Sequence, residues 1–167
     1  MGAALRKAPG AQARWQADGA VPTLPAPWMA RLDAVGPEQE YFLVHTWGEV
    51  PLAVMWKFNQ KNKIIHQQLM DLEEGKLVGF TVAATPGLAA IMETVTVWSE
   101  RRHMAEFFKS GAHQEAMTSM KDDLTFCVRR CWVLGSELPA AGDGAATAAF
   151  WAKVKQGGFR AAEKATS

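Results

Sequence analysis

The chain has one tyrosine and two cysteines among its 167 residues, and an excess of neither charge. With 18 Lys and Arg against 17 Asp and Glu, its formal net charge is +1. That balance gives no electrostatic footprint for nucleic acid or an anionic membrane surface. No apolar run approaches the ~20 residues that a bilayer-spanning helix needs. A Walker loop, a zinc-binding cysteine and histidine cluster and a nucleophile elbow are also missing from the sequence, so none of those chemistries is implied. The two cysteines, Cys127 and Cys131, fall in a run that reads as one strand. Residues four apart on a strand are roughly 13 Å apart, beyond disulfide reach. They read as buried thiols of a reducing compartment.

What is abundant is bulk: seven tryptophans and eight methionines. Such side chains suit cores, interfaces and flat apolar ligands. At 49% hydrophobic and 21% charged, the composition fits a globular protein with one domain and tails. The first twenty residues carry Arg6, Lys7 and Arg14 and no acid before Asp18. They lack an apolar signal-peptide core and resemble the end of an organelle transit peptide or a basic tail. The expected location is intracellular, cytoplasmic or organellar.

Along the chain, residues 1–38 read as a flexible arm, 39–139 as the folded domain, and 140–167 as a linker with a C-terminal helix and tail. Prolines 22, 25 and 27 keep the arm extended, with a short helical turn expected near Met29 to Ala34. Glu40 to Trp47 reads as a strand, ended by Gly48. Leu52 to Leu72 has helical spacing, with Gly75 as its stop. Lys76 to Thr85 and Ile91 to Trp98 read as a hairpin around Pro86-Gly87. Glu100 to Met120 reads as a two-part helix and Thr125 to Gly135 as the last strand. Thr147 to Lys155 reads as a short amphipathic helix, and the tail after Gly157 as frayed.

The order β-α-β-β-α-β implies an α+β, ferredoxin-like fold with both helices on one sheet face. Yet both strand faces are apolar. Phe126, Val128, Trp132 and Leu134 oppose Cys127, Cys131 and Val133, and Phe42 and Val44 oppose Leu43, His45 and Trp47. A sheet apolar on both faces is covered on both. The second cover is expected to be another copy, giving a homodimer with sheets face to face. The monomeric alternative uses the proline-rich arm or the C-terminal helix.

The run from strand to Trp98, then Phe107-Phe108, Ser110-Gly-Ala-His113 and Ala116-Met117, resembles the dimeric α/β barrel superfamily. That superfamily includes antibiotic-biosynthesis-type and haem-degrading monooxygenases. Within it, the run resembles an uncharacterised branch with a VW…F..SGAH..AM signature, also similar to spheroidene monooxygenase. It covers roughly Glu40 to Pro139. The resemblance implies haem as a cofactor candidate. Trp98 would match the strand-end tryptophan of haem-degrading members and His113 their iron ligand. No asparagine stands in the first strand; Asn59 and Asn62 are on the first helix.

Read from the residues, Ser110 suits a helix N-cap through its hydroxyl. His113 then falls in the first helical turn, where the imidazole stays neutral, with Met117 and Met120 on its face. A neutral imidazole in an apolar pocket suits a general base or a metal ligand, or simply a packed core histidine. His113 and Trp98 are the catalytic candidates. His45, Trp47, Phe107, Ser110, Met117, Arg129 and Arg130 are the ligand-binding candidates. Arg129 and Arg130 point to opposite faces, and a buried guanidinium needs a partner, with Glu93 on the adjoining strand the simplest. Two functions follow. One is a monooxygenase-like or haem-binding or hydrophobic-ligand-binding enzyme. The other is a non-catalytic interaction module or accessory subunit of a larger assembly.

Overall fold

The computed structural model describes residues 24–162. The basic stretch before residue 21 and the last five residues lie outside the described residues. Seven strands form one antiparallel sheet: β1 (Leu24–Pro25), β2 (Met29–Ala30), β3 (Glu40–Pro51), β4 (Leu77–Thr85), β5 (Ala89–Trp98), β6 (Thr125–Leu134) and β7 (Arg160–Ala161). The order is β1-β4-β5-β3-β6-β7, with β2 also paired to β4. Among the described residues four α-helices accompany them, α1 (Met55–Met70), α2 (Arg101–Phe108), α3 (Gly111–Met120) and α4 (Gly144–Gln156), with short 3-10 turns at Leu52–Val54 and Gly135–Glu137. The central order β4-β5-β3-β6 and the α1 and α2/α3 crossovers make this a ferredoxin-like α+β fold.

Two details of β3 and the arm differ from expectation. Gly48 does not end β3, which continues to Pro51. A Cβ there would sit 2.6 Å from the Thr125 carbonyl oxygen and 2.7 Å from the Phe126 ring, so glycine serves close strand approach. Met29 to Ala34 forms no helical turn. Met29 and Ala30 instead pair with Phe80 and Gly79, and Leu24 and Pro25 pair with Ala84 and Ala83. From Leu24 onward the arm is therefore stitched to the sheet edge.

One sheet face carries α1, α2 and α3. Phe42, Val44, Phe80 and Trp98 pack there against Leu69, Met104 and Phe107. The opposite face is covered by this chain itself. Trp151, Phe150 and Val154 of α4, with Trp28 and Phe159, bury Tyr41, Leu43, Val95, Val97 and Val133. Each such side chain contributes roughly 1.5–3 kcal/mol on burial. The face expected against a second copy thus has the intramolecular cover, from both arm and helix. A second copy docking there would have to displace α4.

The reason lies in how well α4 is specified. It is alanine-rich at its start, a good helix former. The Asp143 side chain accepts from the Ala146 amide at 2.9 Å, a normal N-cap. Gly157 ends it in the left-handed region (φ 70°), and the Gly158 amide donates back to Lys153 O at 3.0 Å, as in a Schellman end. The tail expected to fray is seated as far as Ala162, whose amide donates to Arg130 O at 3.0 Å.

Candidate functional site

Between the sheet and α1–α3 lies a cavity of about 560 Å³, a size usual for small-molecule sites. Strand alternation supplies one wall: Thr94, Thr96 and Trp98 of β5, Thr46 of β3, and Phe126, Val128 and Arg130 of β6. Helical spacing supplies the other: Phe58, Asn62, Ile65 and Leu69 of α1, with Phe107, Phe108, His113 and Met117 beyond.

His113 sits in the first turn of α3 and is buried. The chain breaks before it: Ser110 has extended geometry (ψ 146°) and Gly111 starts the new helix. The imidazole is 4.5 Å, ring centre to ring centre, from Phe108 in an edge-on contact and 5.3 Å from Phe107. Burial lowers its pKa, and a hydrogen bond to the Phe108 backbone only partly offsets this. His113 is therefore neutral near pH 7. A bond to a carbonyl uses the protonated ring nitrogen and leaves the other as an acceptor.

Trp98, on the same cavity lining, is fully buried. Its ring centre lies 5.3 Å from that of Phe107, and its Nε1 donates to Thr96 Oγ1 at 2.9 Å. Phe107, Met117 and Arg130 line the same cavity. Ser110 does not. It occupies the N-cap position, but its hydroxyl makes no cap bond; Oγ is buried without a hydrogen-bond partner and faces a separate, smaller cleft beside Gln68. The expected side-chain cap is therefore absent.

The other candidates lie on the opposite face. His45, Trp47 and Arg129 point toward α4, away from His113. His45 Nε2 is 3.1 Å from Glu93 Oε1, a diagonal contact that follows from Trp47 lying opposite Glu93. Lys155 of α4 holds both Glu93 oxygens at 3.0 and 3.2 Å. Trp47 stacks on the His45 ring at 4.7 Å, and Trp151 meets it edge-on at 5.9 Å. Burial pushes Glu93 upward, but His45 and Lys155 together hold it below the usual carboxylate value. Burial lowers His45 despite the pull of Glu93. Arg129 donates to the Val154 carbonyl at 3.2 Å. Glu93, expected as the arginine's partner, is thus taken by a histidine and a lysine.

Sequence reasoning missed Thr46, Thr94, Asn62 and Lys109 as cavity residues. Asn62 carried a signal, since it is four residues after Phe58 and three before Ile65, on the stripe of α1 that lines the cavity, where it is itself exposed. Its position brings an amide to the cavity that holds Trp98 and His113, from the helix and not the first strand. The donor set fits haem: one imidazole acceptor, apolar walls, and Arg130 and Lys109 as cations on the lining. Among the described residues no group of three or more His, Cys, Asp or Glu side chains is placed to hold a metal ion, and no helix is long and apolar enough to cross a membrane.

No family model and no curated protein matches the sequence. Several solved structures align with part of the chain at low identity. A Nitrosomonas europaea protein, provisionally named an antibiotic biosynthesis monooxygenase, is 12% identical over 62% of this chain and 95% of its own (TM-score 0.48). A Fusobacterium nucleatum protein, provisionally named a monooxygenase, is 11% identical over 66% of this chain and 48% of its own (TM-score 0.49); the chain spans about half its length. A dimeric ferredoxin-like protein from an uncultured marine organism is 12% identical over 57% of this chain and 96% of its own (TM-score 0.46).

Proposed function

We propose that this chain is a small-molecule-binding enzyme of the monooxygenase-like kind, with the helix-side cavity as its site. One observation carries the reading: a cavity of about 560 Å³ walled mainly by apolar and aromatic side chains, with a buried neutral histidine on its lining. Trp98 and Phe107 offer flat surface for a ring system. Asn62 and the threonines of β3 and β5 supply the few hydrogen-bonding groups that orient a bound molecule. His113 accepts a proton from the bound compound through its free ring nitrogen. Haem, as a resident group, would be held by His113, with Arg130 and Lys109 meeting its carboxylates, and would supply oxygen activation.

The test uses a neutral apolar dye, Nile red, whose emission rises on leaving water. We expect saturable binding to the purified protein and its loss in Ala105→Trp, which fills the cavity. Binding that survives the filled cavity sinks the reading. Oxygen uptake that depends on His113 then separates an enzyme from a passive carrier, and a haem titration with a Soret shift lost in His113→Ala identifies the haem form.

A second reading, an interaction module or accessory subunit, is favoured by a different observation. Leu52, Trp56 and Leu88 are 73%, 72% and 97% exposed. Pro51 pairs with Ala89, so Leu52 and Leu88 stand side by side at one end of the sheet. Solution mass distinguishes this reading: self-association lost in Trp56→Ser with dye binding intact supports an interface there, including that of a homodimer.

A further inference from the structure

The cavity lining carries cations and no carboxylate. Arg130 comes from β6 and Lys109 from the junction of α2 and α3, and no Asp or Glu lines the same space. Among the described residues neither cation makes an ion pair. Their neighbours do: Lys57 pairs with Asp123 at 2.8 Å, Lys61 with Glu115 at 3.1 Å, and Lys76 with Glu73 at 3.3 Å. Lys63 and Lys121 also make no ion pair among the described residues, but of these four cations only Arg130 and Lys109 line the cavity. Both are exposed, and they place a positive rim on an apolar interior. Low-dielectric walls focus such a field into the cleft. Elsewhere on the lining, Thr94, Thr96 and the exposed Asn62 offer uncharged hydrogen-bonding groups that do not repel an anion.

We infer that the ligand is a ring compound bearing a carboxylate, its rings against Trp98 and Phe107 and its acid group at the rim between Arg130 and Lys109. This rests on the cavity reading above and adds the ligand's charge to it. The planar guanidinium meets a carboxylate in a two-pronged bond, and the lysine adds a point charge. A cationic ligand of the same body is excluded by the same rim.

The test compares two fluorescent probes with one body, 1-pyrenebutanoate and 1-pyrenebutanol, titrated into the purified protein. At low ionic strength we expect the acid to bind about tenfold tighter, a modest ratio because the rim is solvated. Arg130→Gln should narrow the ratio to about threefold, and Arg130→Gln with Lys109→Gln should bring it to about one. High salt should narrow the wild-type ratio in the same direction. Both substitutions are on exposed side chains, and circular dichroism checks that the fold is kept. Equal binding of acid and alcohol by the wild type overturns the inference and leaves the cavity reading standing. So does a tenfold ratio that persists in the double variant. Binding of neither probe removes both readings together.

Discussion

The two faces of this sheet each bury a histidine, and they treat it in opposite ways. His45 lies under α4 with Glu93 and Lys155 against it and tryptophans on two sides. His113 lies under two phenyl rings, with only a backbone carbonyl as its polar partner. Around His45 the charges are closed on one another, and the surrounding side chains are close-packed. Around His113 there is room for a small molecule, and the cavity lining carries the cations Arg130 and Lys109 and no acid. Burial alone therefore does not mark a working histidine. What sets the helix-side histidine apart is room beside the ring and cations on the same lining.

The largest expected effect breaks the closed side. Lys155→Met removes one partner from a buried pair and leaves the Glu93 carboxylate half satisfied; it should cost about 3–5 kcal/mol in urea unfolding. A cost under ~1 kcal/mol would mean that α4 is not held by this pair. Next comes acid. Both histidines are held below their ordinary value of 6.5, so below that pH the unfolded chain binds more protons than the folded one, and stability falls with pH. Glu93, also lowered, extends the loss through the acid range. Thermal midpoints from pH 8 to pH 4 should fall steadily below about pH 6.5; a flat profile to pH 5 would contradict the buried neutral histidines. His113→Phe keeps the apolar packing and should change stability by less than ~1 kcal/mol while removing oxygen uptake, and a comparable loss of stability to Lys155→Met would erase the contrast. Smallest is Ser110→Ala. With no cap bond to lose, it should stay within about 0.5 kcal/mol of wild type, against the ~1 kcal/mol of a working cap.

The fold was legible because its signals are local. Alternation in β3, β5 and β6 and helical spacing in α1 are read within a dozen residues, and Phe150, Trp151 and Val154 already marked α4 as amphipathic. What that helix covers was not legible. Lys155 meets Glu93 across 62 positions, and Trp28 meets Thr147 across 119, so no window of sequence joins them. His113, Trp98 and Phe107 came together because strand end and helix start are neighbours in the chain. His45 and Trp47 were grouped with them because alternation reports which residues share a face, but not which face the helices take. Ser110 shows the complementary failure: residue type placed it at a helix start, and only the geometry of its hydroxyl shows that it does not act there.

The cover of the second face has a consequence for how the protein is made. A chain emerging from the ribosome as far as Pro139 already contains every strand from β1 to β6 and all the helices of the cavity side. It does not yet contain Trp151, Val154 or Phe159, which seal Leu43, Val95 and Val97. Synthesis runs at roughly 5–20 residues per second, so for a second or more a half-clad sheet stands open beside other nascent chains. The buried trio of His45, Glu93 and Lys155 is completed only when residue 155 arrives. The last helix thus acts as a closing step in biogenesis, and a chain stopped before Gly144 would present a broad sticky face to whatever folding helpers attend it.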